Sequence, residues 1–237
     1  MVFQHPISAQ SIEILHEHKD WWLCYKPAGM NIHQEDDSQS ELGFCRQLSE
    51  QLQQPIWPVH RLDKSTSGLI LIARSAEAAN QFQTLFSERH IEKYYLAISD
   101  QKPKKKQGWI KGDMTKGRNG SWLLQRTMNN PAITQFISQA IEGLAGYRAF
   151  LVKLHSGKTH QIRVALKSLG SPILGDSRYK GSKADRCYLH AYALRFSWQE
   201  ETFSFVQPPI CFEDQPLWQA YETSWQIWDS PWNNFSG

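Results

Sequence analysis

Six consecutive residues, Gly68 to Ala73 (GLILIA), carry no polar side chain, and they follow directly on the polar run His60 to Ser67 (HRLDKSTS). A continuous apolar run of this length, flanked by turn-forming residues, reads as a strand. A strand that is apolar at every position has to be covered on both faces, so it belongs inside a sheet. The carboxylate of Asp63, flanked by Arg61 and Lys64, therefore stands at the mouth of a buried strand.

The remaining pattern builds a sheet around that strand. Ile12 to Leu15 and Trp21 to Tyr25 read as short strands, the second stopped by Pro27 and Gly29. Ser40 to Gln54 has helical spacing at Leu42, Cys45, Leu48 and Leu52, with Pro55 ending it. Ser75 to Arg89 reads as a helix with Ser75 as N-cap. Lys93 to Ile98 is a strand, followed by hairpin strands at Ser121 to Arg126 and Ile133 to Ser138, and by a strand at Tyr147 to His155. His160 to Leu169 is a helix closed by Gly170 and Pro172, and Cys187 to Trp198 with Thr202 to Val206 form a last strand pair. The expectation is one α+β domain over residues 1–237, a mixed and largely antiparallel sheet flanked by helices and loops, with a Trp-rich C-terminal helix and tail at 214–237.

Composition narrows the function classes. The four cysteines are scattered and form no C-x-x-C pair, so neither a zinc ribbon nor a disulfide framework is indicated. There is no signal-like start and no apolar run of membrane-spanning length, which reads as a soluble, cytoplasmic protein without a membrane partner. The net charge of +3 identifies no partner by itself, yet seven cations lie between Lys102 and Arg118 against the single acid Asp113. With Trp109 and interspersed glycines, that run reads either as a solvated loop or as a mobile hairpin touching phosphates.

The ordered series KPAG, HRLDKSTSGLILIA, EKYYLA, LHSGKTHQIRVALKSLGSPILGDSRY and YLHAYALRF resembles the RluA-type family of RNA pseudouridine synthases. The resemblance spans about residues 26–196. It implies a reaction in which the bond from ribose to nitrogen 1 of uracil breaks, the base turns while held, and carbon 5 bonds to the same sugar carbon. Because no atoms enter or leave, neither a metal nor any other cofactor is implied. The implied partner is RNA, a transfer-RNA or ribosomal stem-loop, and the implied state is a monomer.

By the same resemblance Asp63, Tyr95 and Arg163 are the catalytic set. Asp63 acts on the ribose, either by attack at the anomeric carbon or by taking a proton to give a glycal. A pocket of low polarity would raise the pKa of such a carboxylate, and Arg163 of the QIR motif would restore its charge. Tyr95 would stack on the uracil and help remove the carbon 5 proton. Lys93 shares its strand face, and Ile162 forms the opposite wall. Arg61 would occupy the place of the flipped base, since a stacked base cannot reach a buried carboxylate. His60 is placed at the substrate with a turn-shaping role. Lys26 and His33 lie at the cleft edge, Lys26 either meeting a phosphate or solvated. The chain departs from the family pattern at Ala165 and Ser171, where relatives commonly carry histidine, and the residues ahead of its first matched strand are expected to be too few for the small N-terminal RNA-binding module of many relatives. Two other readings fit the same fold. A non-catalytic RNA-binding module would not need all three catalytic-set residues, and a hydrolase would need a second carboxylate that the motifs do not contain.

Overall fold

The computed structural model describes residues 11–33, 43–209, 216–220, 222 and 226–235. In chain order the elements are β1 (Glu13–Glu17), β2 (Trp21–Lys26), α1 (Phe44–Leu52), β3 (Trp57–Pro58), β4 (Ser67–Ala73), α2 (Ala76–Ser87), β5 (Glu92–Ser99), β6 (Gln107–Gly112), β7 (Met114–Lys116), β8 (Trp122–Leu124), β9 (Ala132–Ile141), β10 (Leu144–Leu154), α3 (Gln161–Ser168), β11 (Leu189–Trp198), β12 (Glu201–Val206) and α4 (Pro216–Ala220). The helix expected from Ser40 starts at Phe44, and its first residues, Leu42 among them, lie outside the described residues, as does Cys211.

Ten strands form one sheet in the order β1-β2-β4-β11-β5-β10-β9-β6, with β3 added to β4 and β12 to β11. Among the described residues β4 and β11 are the one parallel pair. The apolar run of β4 is explained by its position. Ile70 and Ile72 enter the core on one side of the sheet, and Leu69, Leu71 and Ala73 enter the core on the other. Each of the Leu and Ile side chains contributes roughly 1.5–3 kcal/mol by leaving water.

The segment from Lys102 to Arg118 differs from the expected mobile hairpin. β6 is an edge strand paired with β9, and Lys104 N–H is tied to the Leu169 carbonyl at 3.1 Å. The expected partnership of Ser121 to Arg126 with Ile133 to Ser138 is also corrected, because β8 pairs with β7 in a separate two-stranded ribbon. Asp113 is the cause. Its backbone pairs with Thr127 and Gln125, and its carboxylate accepts the N–H groups of Asn129 and Asn130 at 2.9 and 2.7 Å. The chain is thereby folded back before β9 begins. The C-terminal tryptophans cover the domain's own surface: Trp218 and Trp228 are buried, and Phe235 stacks on Tyr94. No helix among the described residues is long and apolar enough to cross a membrane.

The parallel junction rests on Gly68. Its φ is +113°, and a Cβ there would sit 2.2 Å from the Ala191 carbonyl oxygen of β11. Both backbone and space exclude a side chain. Gly68→Ala is expected to cost on the order of 3 kcal/mol, measurable as a loss of unfolding free energy in urea.

Candidate active site

The loop leading into β4, together with β5 and α3, surrounds a cavity of about 510 Å³ lined by Arg61, Leu62, Asp63, Lys93, Tyr95, His160, Ile162 and Arg163, with Arg89 and Lys158 among its other lining residues. Asp63 is the one acid among the lining residues, facing five Lys or Arg side chains.

The loop carrying Asp63 is pinned from three sides. β3 pairs with β4 only as far as Pro58 and Ile72, which leaves the Leu71 N–H unpaired by strand, and His60 Nε2 accepts it at 2.9 Å. Burial, reinforced by the charge of Lys93, pushes the His60 pKa down to about 3, so the ring is neutral and structural. Beyond Asp63, Thr66 N–H returns to the Asp63 carbonyl at 3.0 Å. Behind the loop, Gly29 N–H and the Lys26 ammonium both reach the Lys64 carbonyl, at 2.7 and 3.3 Å. Lys26 is fully buried, also donates to the Pro27 carbonyl at 2.8 Å, and does not line the cavity. It is therefore neither solvated nor free to meet a phosphate. His33 is exposed and likewise outside the lining.

α3 brings the second half of the site. Gln161 opens the helix and is buried; its Oε1 accepts from Ser156 Oγ and Lys158 N–H, both at 2.9 Å, while Nε2 donates to Ile133 O and Thr134 Oγ1. The two Nε2 bonds stitch the helix start to β9, and the two Oε1 bonds tie it to the turn that precedes it. Ile162 then faces the cavity, and Arg163 donates from Nη1 to Asp63 Oδ2 at 3.1 Å. The same guanidinium grips Asp176 in a fork, Nε to Oδ2 at 2.7 Å and Nη2 to Oδ1 at 2.8 Å. Burial alone would lower the arginine pKa, but the bonds and charge of Asp176, with the charge and bond of Asp63, raise it above its ordinary range. Its cation is permanent.

On β5, Lys93 and Tyr95 line the cavity, whereas Tyr94 points to the opposite face against Phe235. Burial first, then the charge of Asp63, raises the Tyr95 pKa, so the hydroxyl keeps its proton. Burial and Arg89 bring Lys93 down to about 8. Arg61 is exposed at the mouth. Among the described residues no group of three or more His, Cys, Asp or Glu side chains is placed to hold a metal ion.

The structure thus gathers Asp63, Tyr95, Arg163, Arg61, His60, Ile162 and Lys93 around one cavity and leaves Lys26 and His33 outside it. Sequence reasoning missed Gln161, His160, Tyr179 and Asp176, although all four stand in the quoted stretch LHSGKTHQIRVALKSLGSPILGDSRY. An acid thirteen residues beyond an arginine signals a partner only when a turn brings them together; here Gly170 and Gly175, at positive φ, shape the return.

An α+β fold with one carboxylate held by arginine in a cation-rimmed cavity suits an enzyme that acts on an anionic substrate, and the comparisons specify the class. The sequence profile of the family described as RNA pseudouridylate synthase matches residues 20–168. A Haemophilus influenzae protein named an uncharacterized RNA pseudouridine synthase is 50% identical over 190 residues, covering 79% of this chain and 83% of that one. The tRNA pseudouridine synthase C of Pasteurella multocida is 29% identical over 218 residues, covering 84% and 87%. Among solved structures, human RNA pseudouridylate synthase domain containing 1 superposes with a TM-score of 0.71 at 22% identity, over 92% of this chain and 97% of that one, which shows the shared fold. The chain belongs to the RNA pseudouridine synthase family, the uridine-to-pseudouridine isomerases.

Two outcomes follow from the geometry. Asp176→Asn removes one charge from a buried, forked pair and is expected to cost about 3 kcal/mol of stability. Urea unfolding reads that loss, and the isomerisation rate should fall with it as Arg163 loses its fixed position. For Lys26, burial is the main cause of a pKa near 7, Asp63 partly opposing and Arg186 reinforcing it. An unfolded lysine titrates near 10.5, so between about pH 7 and 10.5 the unfolded chain binds a proton that the folded chain has released. The Lys26 contribution to stability therefore rises across that window, by about 1.4 kcal/mol per pH unit at most, and is lost as pH falls to 7. Unfolding free energies of wild type and Lys26→Met at pH 7 and 9 should move apart in favour of the wild type at the higher pH.

Proposed function

We propose that this chain isomerises a uridine held in a transfer-RNA stem-loop, with Asp63, Tyr95 and Arg163 as the catalytic set. The observation that carries the reading is the Asp63–Arg163 contact of 3.1 Å, which holds the cavity's single carboxylate beside a permanent cation. A charged Asp63 is what either route requires, attack on the anomeric carbon or abstraction of the neighbouring proton. Tyr95, kept as a phenol, offers a stacking face and a hydroxyl donor to the detached uracil, and Ile162 closes the far side. Arg61 at the mouth takes the place of the extruded base, and Arg89, Lys93 and Lys158 supply the positive potential that a phosphate backbone seeks.

The choice of transfer RNA is supported by the relative named for it, whose match extends over most of both chains. The exposed lysines 104–106 and Trp109 on the sheet edge add a basic and aromatic surface for the rest of the RNA. A hydrolase would need a second acid to protonate a leaving group. The nearest in the site, Asp176, has both oxygens bound by Arg163 and is 2% exposed.

The test is direct. Purified protein incubated with transfer-RNA and ribosomal-RNA transcripts should convert a uridine to pseudouridine in the former and release no free uracil. Asp63→Asn should reduce that conversion by about a thousandfold or more while RNA binding persists. Free uracil in the products, or a fully active Asp63→Asn variant, would refute the assignment.

A further inference from the structure

His160 is the residue before α3, and its side chain reaches back over the catalytic carboxylate. Its Nε2 lies 4.0 Å from Asp63 Oδ2, beyond hydrogen-bond range, and both groups line the cavity. Its Nδ1 lies 2.8 Å from the Tyr179 hydroxyl, which itself accepts the Trp122 N–H at 2.9 Å. With the hydroxyl's acceptor side engaged by β8, its proton goes to Nδ1, and the imidazole's own proton is thereby assigned to Nε2. Burial lowers the His160 pKa, and Arg163 and Arg178 add to that against the opposing charges of Asp63 and Asp176, so the ring is neutral.

The result is a fixed N–H donor and a carboxylate acceptor facing each other across a gap one oxygen wide. Two hydrogen bonds of about 2.8 Å spanning such a gap meet at about 90° on the shared atom, an angle that a hydroxyl, both donor and acceptor, satisfies. The backbone supports the placement: His160 has a φ of +57°, which turns the side chain into the cavity instead of along the helix.

We propose that His160 is a specificity-determining residue that reads the ribose 2′-hydroxyl of the target nucleotide, donating to it from Nε2 while that hydroxyl donates to Asp63. The proposal rests on the function assigned above and deepens it. It gives the site a means of telling RNA from DNA at the reacting sugar, since the 2′-hydroxyl is the group that distinguishes them. It also places the sugar carbons next to Asp63 without using the carboxylate oxygen that Arg163 leaves free.

A double-mutant cycle tests it. The stem-loop found to be modified is synthesised with uridine or 2′-deoxyuridine at the target position. Its affinity is measured with Asp63 in place, from association and dissociation rates recorded before the first turnover. Protein retaining His160 should bind the ribose form about tenfold more tightly than the deoxy form. His160→Asn keeps a residue that tolerates the left-handed backbone, as Asn119 does in this chain, but removes the Nε2 donor. It should bind both forms alike, within about twofold. His160→Gln retains an amide donor at similar reach, Gln53 and Gln199 showing that glutamine also adopts this backbone here, and should restore part of the preference. Equal fold-losses from the Asn change on both RNAs would overturn the proposal, leaving His160 as a structural contact with water in the gap. Absence of any ribose preference in the protein retaining His160 would overturn it without reference to variants. Failure of every RNA to be isomerised would instead remove the function on which it rests.

Discussion

One guanidinium organises this molecule. Arg163 joins the loop after β3, the first turn of α3 and the turn before β11 through three hydrogen bonds to two carboxylates. Two anions and one cation leave the cluster with a net negative charge, and that charge sits on the carboxylate open to the cavity. Asp176 is buried and fully bonded, so its part is to hold the arginine, while Asp63 keeps one oxygen outside the pair. A buried pair of this kind adds little stability compared with packed apolar groups, but losing one partner is costly. Its value is positional: the direction of the cavity-facing carboxylate is fixed by a side chain that cannot lose its charge.

The surrounding sheet exists to hold that cluster still. β4 is anchored in two cores at once, and the residues leading into it are tied down by His60, Gly29 and Lys26. α3 is anchored by Gln161, so the QIR triplet divides its labour among anchoring, walling the cavity and pairing charge. On β5 the two-residue repeat sends Tyr95 to the cavity and Tyr94 to the opposite face of the strand, against Phe235. β5 and α3 thus divide their side chains between the hydrophobic interior and the cavity, while β4 is buried on both faces and offers only the polar loop that leads into it.

Much of this was legible in the residues themselves. The apolar run of β4, the N-cap at Ser75 and the split of the two tyrosines follow from local periodicity and hydrogen-bonding chemistry, and the structure shows each. What failed did so where a long-range contact decided. Lys26 looks like a surface lysine in sequence because burial of an ammonium on two carbonyls depends on a loop 38 residues away. The pairing of β8 was misjudged because the turn is made by Asp113, whose carboxylate binds amides 16 and 17 residues further on. Asp176 went unassigned because its partner is reached only after the chain turns back twice. Local pattern fixes strands and helices; the closure of loops fixes which charges meet.

That closure also carries a kinetic consequence. Asp63 and Arg163 stand 100 residues apart in the chain, and the Gly68 to Ala191 contact joins segments still further apart. Contacts of such separation are formed late, because the entropy of closing the loop is lost before the contact rewards it. During synthesis the loop carrying Asp63 emerges long before its arginine, and the early chain presents β4 with its β2 and β3 partners made but its β11 edge open. The cavity's carboxylate is therefore paired only once the segments that enclose it have been made.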